Sequence, residues 1–309
     1  MTLLPRSAAA CWPEDTPVLL ERCNFPPRGS SVVCAVSGGA DSLAMLALAR
    51  AAGCQALALH IDHGLRPGSR TEAAIVEEAA RELGAAFQRE AVVVGDGPDL
   101  EARARAARYD ALPAGALVGH TADDQAETLL LNLLRGCGLD GLAGMRSEGG
   151  GRRGVLRPIL ALRRSETAAF VAALGLRVVK DPSNNELRFR RNQVRHEVLP
   201  LLAAVGARDP VPVLSRTAAL LAEDAELLAS WAEELDPTDV KVLRSVPKPL
   251  AARALRRWIR GEEGPEHYPP SRDELERAWR VVTGEARACE LSGGRRLSRK
   301  GGRLSLKPG

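Results

Sequence analysis

SVVCAVSGGADSLAMLALARAAG, Ser31–Gly53, is the stretch that decides the fold. Its first part, Val32–Val36, is a short apolar run that predicts a buried strand. Its last part, Leu43–Ala52, predicts a helix that ends at Gly53, a common helix stop. The loop between them therefore joins the carboxyl end of a strand to the start of a helix. Open α/β sheets bind their ligands at such positions.

The loop residues SGGADS have the composition of a phosphate-binding site. Two glycines let the backbone approach a ligand closely, the helix start supplies unpaired N–H groups, and two serines add hydroxyl donors. The predicted cradle consists of Ser37, Gly38, Gly39, Ala40 and Ser42. Asp41 would repel a phosphate unless Mg²⁺ lies between them, so the loop predicts a metal-bound triphosphate with Asp41 as metal ligand. The alternative is a plain turn of small residues.

The alternation of strand and helix continues over the first half of the chain, which indicates βαβ units and a parallel sheet. The further predicted strands are Gln55–Ile61, Phe87–Val94 and Ala116–Gly119. The predicted helices begin at Ser69 with Glu72, at Gly97-Pro98-Asp99, and at Thr121 with Asp124, and they end at Gly84, Leu112 and Gly136. The fold class is therefore α/β.

The second half is predicted to contain a loop, more helices and a domain boundary. In chain order the predictions are a loop over Arg146–Gly154, a helix over Ser165–Leu174, an extended segment over Arg177–Val179, a helical segment over Leu187–Val205, and the breakers Gly206, Pro210 and Pro212. We expect domains over residues 1–212 and 237–309, joined by a linker helix over 213–236. That helix is predicted to bury Leu220, Leu221, Leu228 and Trp231.

Composition excludes several classes of protein. With 45% hydrophobic and 27% charged residues among 309, the chain can bury a core and is not a disordered protein. Met1–Pro17 holds no secretory apolar run, and no window reaches the 18 apolar residues of a membrane helix. We therefore expect a cytoplasmic protein without a membrane partner. Six scattered cysteines without a C-x-x-C pair argue against a zinc ribbon or an iron–sulfur cluster.

Charge is distributed unevenly along the chain. Residues 1–240 carry 26 basic and 31 acidic side chains, whereas residues 241–309 carry 17 and 8. The basic residues of this last segment fall in two groups: Arg253, Arg256, Arg257 and Arg260, and then Arg295, Arg296, Arg299, Lys300 and Arg303. This smaller, mixed α/β carboxyl-terminal domain is thus predicted to face the phosphates of a polyanion. Aromatic residues make up only 3% of the chain, so a base-stacking platform is not expected.

Acidic and histidine side chains are predicted at the same edge of the sheet as the loop. Asp123 and Glu127 share one face of a helix, which suits a metal or a cationic substrate, while Asp124 is expected to cap the helix. The alternative is a solvated acidic face at a helix start. The histidines that follow predicted strands, His60, His63 and His120, are expected to contact nucleotide or substrate.

Basic residues also recur at helical spacing in Arg188, Arg191 and Arg195. Arginines on one side of a helix are suited to phosphate contacts, and Asn192 lies among them. We expect RNA binding here. A solvated basic stripe is the alternative.

The loop resembles the pyrophosphate loop of the ATP pyrophosphatases, whose parallel-sheet nucleotide-binding fold is adenine nucleotide alpha hydrolase-like. Further segments, in the same order, resemble the tRNA(Ile)-lysidine synthetases. They are His60–Arg66, Glu101–Arg103 to Arg108-Tyr109, His120–Thr128, Arg135-Gly136 with Gly141-Leu142, Arg157-Pro158, Asp181–Asn184 and Arg191–Arg195. The resemblance spans residues 31–202 and is dense enough to indicate this family within the superfamily.

The resemblance implies an ATP-dependent ligase that attaches free lysine to the wobble cytidine of tRNA(Ile) with a CAU anticodon. In this family the cytosine carbonyl oxygen is adenylated with release of pyrophosphate, and the lysine ε-amine then displaces AMP. For this chemistry we expect ATP and Mg²⁺ at Asp41, Arg108 at the developing phosphate charge, and Asp123 and Glu127 at the lysine. We expect nucleotide contacts from His60 and His63.

The tRNA and substrate contacts are expected from His120, Arg191, Asn192 and Arg195. A homodimer is left open. A tRNA thiolase of the same superfamily is the nearest rival, but such enzymes mostly use paired cysteines or a cluster. A regulatory module that holds ATP without turnover is a rival from another class.

Overall fold

The computed structural model describes residues 12–62, 69–92, 100–148, 154–179, 186–261 and 270–307. Contacts between Cα atoms divide the chain into two compact units, Met1–Leu221 and Ala222–Gly309. The predicted strand Phe87–Val94 and the loop Arg146–Gly154 lie partly outside the described residues. His63 and the turn Asp181–Asn184 lie wholly outside them.

A four-stranded parallel sheet forms the centre of the first unit, which confirms the predicted fold class. The strands are β1 (Ser31–Ala35), β2 (Gln55–Asp62), β3 (Ala86–Ala91) and β4 (Leu117–Val118), in the spatial order β3-β2-β1-β4. The helices between them are α2 (Ala40–Ala51), α3 (Ser69–Glu82) and α4 (Leu100–Ala111), while α1 (Thr16–Glu21) precedes β1 and α5 (Ala122–Leu134) follows β4. Parallel strands need such helical crossovers, which cover the sheet.

The helix that follows the loop is the most deeply buried element of the first unit. Every residue from Ser42 to Ala49 in α2 is buried, so the helix is apolar around its whole circumference. It packs in the same core as β1, β2 and the helix α7 (Arg164–Ala173), which includes Phe170 and Val171. The loop before α2 is therefore anchored on a rigid support.

Arg177–Val179, predicted as extended, does not join the sheet. Its Val179 N–H donates to the carbonyl oxygen of Gly38 at 2.9 Å, so this segment closes against the loop instead. Leu156 forms a parallel bridge with Leu117 at the edge strand β4. The pattern of apolar residues could not distinguish pairing with a strand from pairing with a loop.

Helices complete the first unit after β4. They are α6 (Leu139–Leu142), α7, α8 (Arg190–Gln193), a π-helical turn over Val194–Val198, α9 (Leu199–Gly206) and α10 (Pro210–Glu233), which contains the boundary between the units. The predicted breakers lie at a real break, since α9 ends at Gly206 and α10 begins at Pro210 after a bend of 95°. Pro210 and Pro212 fit the first turn of α10, because prolines there lack only N–H groups that have no partner. Asp209 caps this turn by accepting the N–H of Val211 at 3.0 Å.

The predicted burial in the linker helix was partly wrong. Leu220 and Trp231 are 58% and 50% exposed. The buried residues of α10 recur every seven positions and are Val211, Ala218, Ala225 and Ala232. Leucine and alanine occur on all sides of this helix, so the sequence pattern did not show that its small residues lie inward.

The second unit is a small mixed α/β domain, as predicted. Its further helices are α11 (Val240–Ser245), α12 (Lys248–Arg260) and α13 (Arg272–Thr283), and its antiparallel sheet consists of β5 (Ala288–Glu290), β6 (Arg296–Lys300) and β7 (Arg303–Lys307). A capping box begins α13, since Ser271 and Glu274 bond each other's backbone N–H at 2.8 and 3.2 Å. The core includes Leu243, Leu255, Val281 and Leu297.

Two further observations concern the described residues alone. No single helix among them is long and apolar enough to cross a membrane, although residues 190–206 and 210–233, bent by 95°, pass that test as a pair. Five of the six cysteines lie in the described ranges, and all five are free thiols.

Candidate active site

The loop after β1 is shaped by its glycines and serines. Gly38 has φ +86°, and a Cβ atom there would lie 2.5 Å from the side chain of Val179, so only glycine fits. The Ser42 hydroxyl donates to the Gly39 carbonyl oxygen at 2.9 Å and accepts the Ser37 N–H at 3.2 Å. Gly39 is the N-cap of α2, so the N–H groups of the next residues have no acceptor within the helix. The loop therefore presents the unpaired N–H groups of the first turn of α2.

A second close approach brings the end of β4 to the same place. A Cβ atom on Gly119 would lie 2.9 Å from the backbone of Asp41 and Ser42. The absence of a side chain at Gly119 thus lets β4 contact the start of α2. As a result His120 and the first turn of α5 lie next to the loop.

The centre of the site is a cluster of four acids and four arginines, here called the acid–arginine cluster. Its members are Asp41, Asp123, Asp124 and Glu127, with Arg163, Arg164, Arg191 and Arg195. The acids come from α2 and α5, and the arginines come from the start of α7 and from the helical segment that begins at Arg190. The formal charges of the eight side chains cancel.

Glu127 is fully buried, and its carboxylate accepts four N–H groups. Oε1 accepts from Arg164 at 3.1 Å and from Arg195 at 2.8 Å, and Oε2 accepts from Arg191 at 2.6 Å and from Arg195 at 3.3 Å. A carboxylate has about four lone-pair positions. All positions of Glu127 are therefore filled in this arrangement.

The lone-pair positions of the Asp124 carboxylate are filled in the same way. Its Oδ2 accepts the N–H and the hydroxyl of Thr121 at 2.8 and 3.0 Å, which confirms the predicted capping role. Its Oδ1 accepts from Arg164 at 3.0 Å and from Arg191 at 3.2 Å. Burial alone would raise the pKa of Asp124, but the charges of Arg191 and Arg164 outweigh it, so the pKa lies below its ordinary value.

Asp123 and Asp41 retain open positions. Asp123 accepts two N–H groups of Arg163, at 3.0 and 3.2 Å, and the backbone N–H of Arg164 at 2.8 Å, which leaves about one position open. Burial alone would raise the pKa of Asp123, but the hydrogen bonds from Arg163 and from the backbone N–H of Arg164 outweigh it, so the pKa lies below its ordinary value. Asp41 accepts from the Thr167 hydroxyl and lies 3.5 Å from Nε of Arg164, so about two of its positions are open. Burial raises its pKa.

The histidines occupy defined places around the cluster. His60 is buried, and its Nδ1 bonds the carbonyl oxygen of Val36, the residue before the loop, at 2.9 Å. His120 accepts from Nε of the buried Arg157 at 3.1 Å on its Nδ1, so the ring proton of a neutral His120 lies on Nε2. No group of three or more histidine, cysteine or acidic ligands suited to a metal occurs in the part of the chain that the structure describes.

The other predicted site residues are placed as follows. Arg191 and Arg195 turn toward Glu127, whereas Arg188 bonds Glu186, so the three arginines do not form one stripe. The buried Asn192 amide donates to the carbonyl oxygen of Glu186 at 2.9 Å and so fastens the start of the helical segment. Arg108 lies in α4, and its side chain is outside the described residues.

Sequence reasoning missed three residues of the site, Arg163, Arg164 and Thr167. One signal could have indicated them: two arginines stand at the first turn of a helix, where the helix dipole disfavours positive charge. Such a placement suggests acidic partners from elsewhere in the chain. No local signal pointed to Thr167, which looks like an ordinary helix residue.

A second polar feature lies in the second unit. An open cavity of about 640 Å³ is lined by Lys241, Arg244, Arg299 and Arg303, together with Asp239 and the turn Gly301-Gly302. Arg303 is paired with Asp236 and Asp239, and Arg299 donates to the Val282 carbonyl oxygen at 3.0 Å. Lys241 and Arg244 have no acidic partner among the residues that the structure describes, so the cavity combines paired and unpaired cations and is suited to an anion.

Comparison with known proteins relates this arrangement to one group of enzymes. A PP-loop domain model matches residues 19–202. A tRNA(Ile)-lysidine synthase of Nocardia farcinica is 38% identical over 92% of this chain and 94% of its own length. That of Rhodococcus erythropolis is 41% identical over 76% and 75%, and that of Streptomyces coelicolor is 36% identical over 96% and 90%.

Among solved structures, a U34-tRNA thiolase from Methanococcus maripaludis with its [4Fe-4S] cluster is similar in fold. The TM-score is 0.54, over 72% of this chain and 80% of that one. The sequences are only 16% identical, so this likeness concerns the fold alone.

Proposed function

Since the chain belongs to the tRNA(Ile)-lysidine synthase family, we propose that it joins free lysine to the wobble cytidine of tRNA(Ile) with a CAU anticodon. Family membership makes it an ATP-binding ligase of tRNA processing. In the proposed reaction the cytosine carbonyl oxygen bonds the α-phosphorus of ATP and pyrophosphate leaves. The lysine ε-amine then bonds the ring carbon that carries this oxygen, and AMP leaves with the oxygen. We propose that this takes place in the cytoplasm.

The observation that carries the proposal is the pair of open positions on Asp41 beside the backbone cradle. Mg²⁺ typically takes one or two protein carboxylates and completes its shell with phosphates and water. Among the four acids of the cluster, Asp41 offers the most open positions, and it stands at the first turn of α2. Its carboxylate therefore fits a Mg²⁺ shared with a triphosphate, and such an ion would neutralise phosphate charge.

The groups of this chain would act on the triphosphate as follows. The N–H groups at the start of α2 donate to phosphate oxygens, and the positive end of the helix dipole favours the negative charge. We propose that Arg108 stabilises the negative charge that develops on the phosphate groups as pyrophosphate leaves. His60 supports the loop through Val36.

For lysine, we propose that Asp123 makes the first contact with the ammonium group and that Glu127 follows. Asp123 has an open position, whereas an ammonium group can reach Glu127 only if a guanidinium group leaves. The amine must lose a proton before it attacks, and a carboxylate next to it can accept that proton. Arg191 and Arg195 are the candidates to leave, because tRNA phosphates compete with Glu127 for them.

For the tRNA body, we propose the basic surface of the second unit. Lys241 and Arg244 in its cavity are not paired with acids among the described residues. Phosphate contacts of this kind position an RNA without reading its sequence. Arg191, Asn192, Arg195 and His120 would then act near the anticodon.

The experiment that tests the proposal measures pyrophosphate from ATP with tRNA(Ile) transcripts. We expect release that requires the CAU anticodon transcript and proceeds without lysine, because adenylation comes first. A transcript with a changed wobble base is the matched control. ATP binding without any pyrophosphate release would instead indicate a regulatory module, and release with a sulfur-modified product would indicate a thiolase.

A further inference from the structure

Two residues on one turn of α7 hold the carboxylate of Asp41 from both sides. The hydroxyl of Thr167 donates to Oδ1, and Nε of Arg164 lies 3.5 Å from Oδ2. Thr167 is fully buried, so its hydroxyl is shielded from water and has few alternative partners. Its second polar neighbour is the carbonyl oxygen of Arg164, at 2.9 Å.

Arg164 reaches all four acids of the cluster. Besides Asp41, its guanidinium contacts Asp124 at 3.0 Å and Glu127 at 3.1 Å, and its backbone N–H donates to Asp123 at 2.8 Å. A guanidinium group is planar and rigid, so it fixes the directions of the carboxylates that it binds. One residue thus ties the acid beside the loop to the acids of α5.

We propose that Thr167 and Arg164 are positioning residues that hold Asp41 in one orientation for the metal of the bound triphosphate. This inference rests on the proposed ATP-dependent ligation. An acid that is already ordered loses less side-chain freedom when it binds a metal. Without the Thr167 hydroxyl, Asp41 would turn toward its remaining partner Arg164, and the positions that are open to a metal would be partly taken.

The test compares Thr167→Val, which keeps the shape but removes the hydroxyl, with Thr167→Ser, which keeps the hydroxyl. Thr217→Val is the matched control, because the Thr217 hydroxyl donates to the Val213 carbonyl oxygen at 3.0 Å on the exposed side of α10. ATP binding is measured by calorimetry with and without Mg²⁺, in the absence of lysine and tRNA. Pyrophosphate release is measured against Mg²⁺ concentration.

We expect Thr167→Val to raise the half-saturating Mg²⁺ concentration about tenfold, which is the size of effect for losing a hydrogen bond to a charged group. It should also reduce the gain in ATP affinity that Mg²⁺ brings, without changing metal-free ATP binding. Thr167→Ser and Thr217→Val should match the wild-type protein. If Thr167→Val kept the wild-type Mg²⁺ dependence, or if Thr167→Ser failed equally, the positioning role would be wrong.

Arg164→Lys provides the second arm, since it keeps the charge but cannot reach three carboxylates at once. We expect Arg164→Lys to raise both the half-saturating Mg²⁺ concentration and the KM for lysine. Thr167→Val should leave the lysine KM unchanged. An unchanged lysine KM in Arg164→Lys would contradict the role of Arg164 in ordering the acids of α5. If the wild-type protein released no pyrophosphate, the proposed function would fail, and calorimetry would still decide the role of Thr167.

Discussion

Arginine side chains serve opposite purposes in the two units of this protein. In the acid–arginine cluster, Arg164, Arg191 and Arg195 are about three-quarters buried, and each bonds the fully buried Glu127. In the second unit, Arg280 and Arg296 are more than 60% exposed and meet equally exposed glutamates at 3.6 and 3.5 Å. Buried charges must be neutralised in place, whereas exposed ones remain available to a partner. The same residue type thus builds a rigid site in one unit and a surface in the other.

The largest expected effect concerns the one acid of the cluster with two open positions. Asp41→Asn should lower pyrophosphate release by at least about a hundredfold, because it removes the negative charge that a metal ion requires. Its thermal unfolding should stay close to that of the wild-type protein, because the volume is unchanged and Arg164 keeps Asp124 and Glu127 as countercharges. Retained ATP turnover in the variant would remove Asp41 from the metal site.

The next largest effect is expected from neutralising Glu127, the acid whose lone-pair positions all accept N–H groups. Glu127→Gln should lower the free energy of unfolding by about 3 kcal/mol, because three partly buried guanidinium groups lose their shared countercharge. Denaturant unfolding measures this change. Arg280→Gln, which breaks the exposed pair with Glu285, is the control and should change the unfolding free energy by less than about 1 kcal/mol. Equal effects of the two variants would contradict the contrast between the units.

Acid should weaken the cluster in a defined direction. The pKa values of Asp123 and Asp124 lie below their ordinary range, so both stabilise the fold fully above the ordinary pKa of about 4. This contribution is lost as pH falls through the lowered folded-state values. We expect the unfolding free energy to decline more steeply below about pH 4 in the wild-type protein than in Asp124→Asn. Parallel pH profiles would show that the arginines do not stabilise ionised Asp124.

The smallest effect concerns the exposed cations of the second unit. Lys241→Gln with Arg244→Gln should weaken tRNA binding and reduce the log–log salt slope, by roughly 0.7 to 0.9 for each phosphate that the protein no longer neutralises. Filter binding at several salt concentrations measures the slope, and Arg177→Gln, which breaks an exposed pair with Glu78 in the first unit, is the control. An unchanged slope would move the RNA surface to other residues.

The sequence was sufficient for features whose causes are local. The strand–loop–helix order around Ser37–Ser42 and the capping pair of Thr121 with Asp124 depend on residues within a few positions of each other. The parallel sheet follows from the repeated alternation of such strands and helices. Local spacing determines such features, and the structure confirms them.

The acid–arginine cluster could not be predicted in this way. The arginines that bond Glu127 lie 37 to 68 positions from it in the sequence, and spacing alone predicts that Arg191 and Arg195 face RNA. Asp123 and Glu127 were assigned to a helix face, but the sequence could not show which of their lone-pair positions other side chains fill. Tertiary packing decides that.

Lysine transfer to the wobble cytidine is tested most sharply by mass spectrometry of the nucleosides from tRNA(Ile) after reaction with ATP, Mg²⁺ and isotopically labelled lysine. We expect the wobble cytidine of the CAU transcript to gain the mass of one lysine residue and to carry the label. Asp41→Asn should give no such product. An unmodified cytidine in the presence of pyrophosphate release, or a wobble nucleoside that gains sulfur instead, would contradict the proposed ligation.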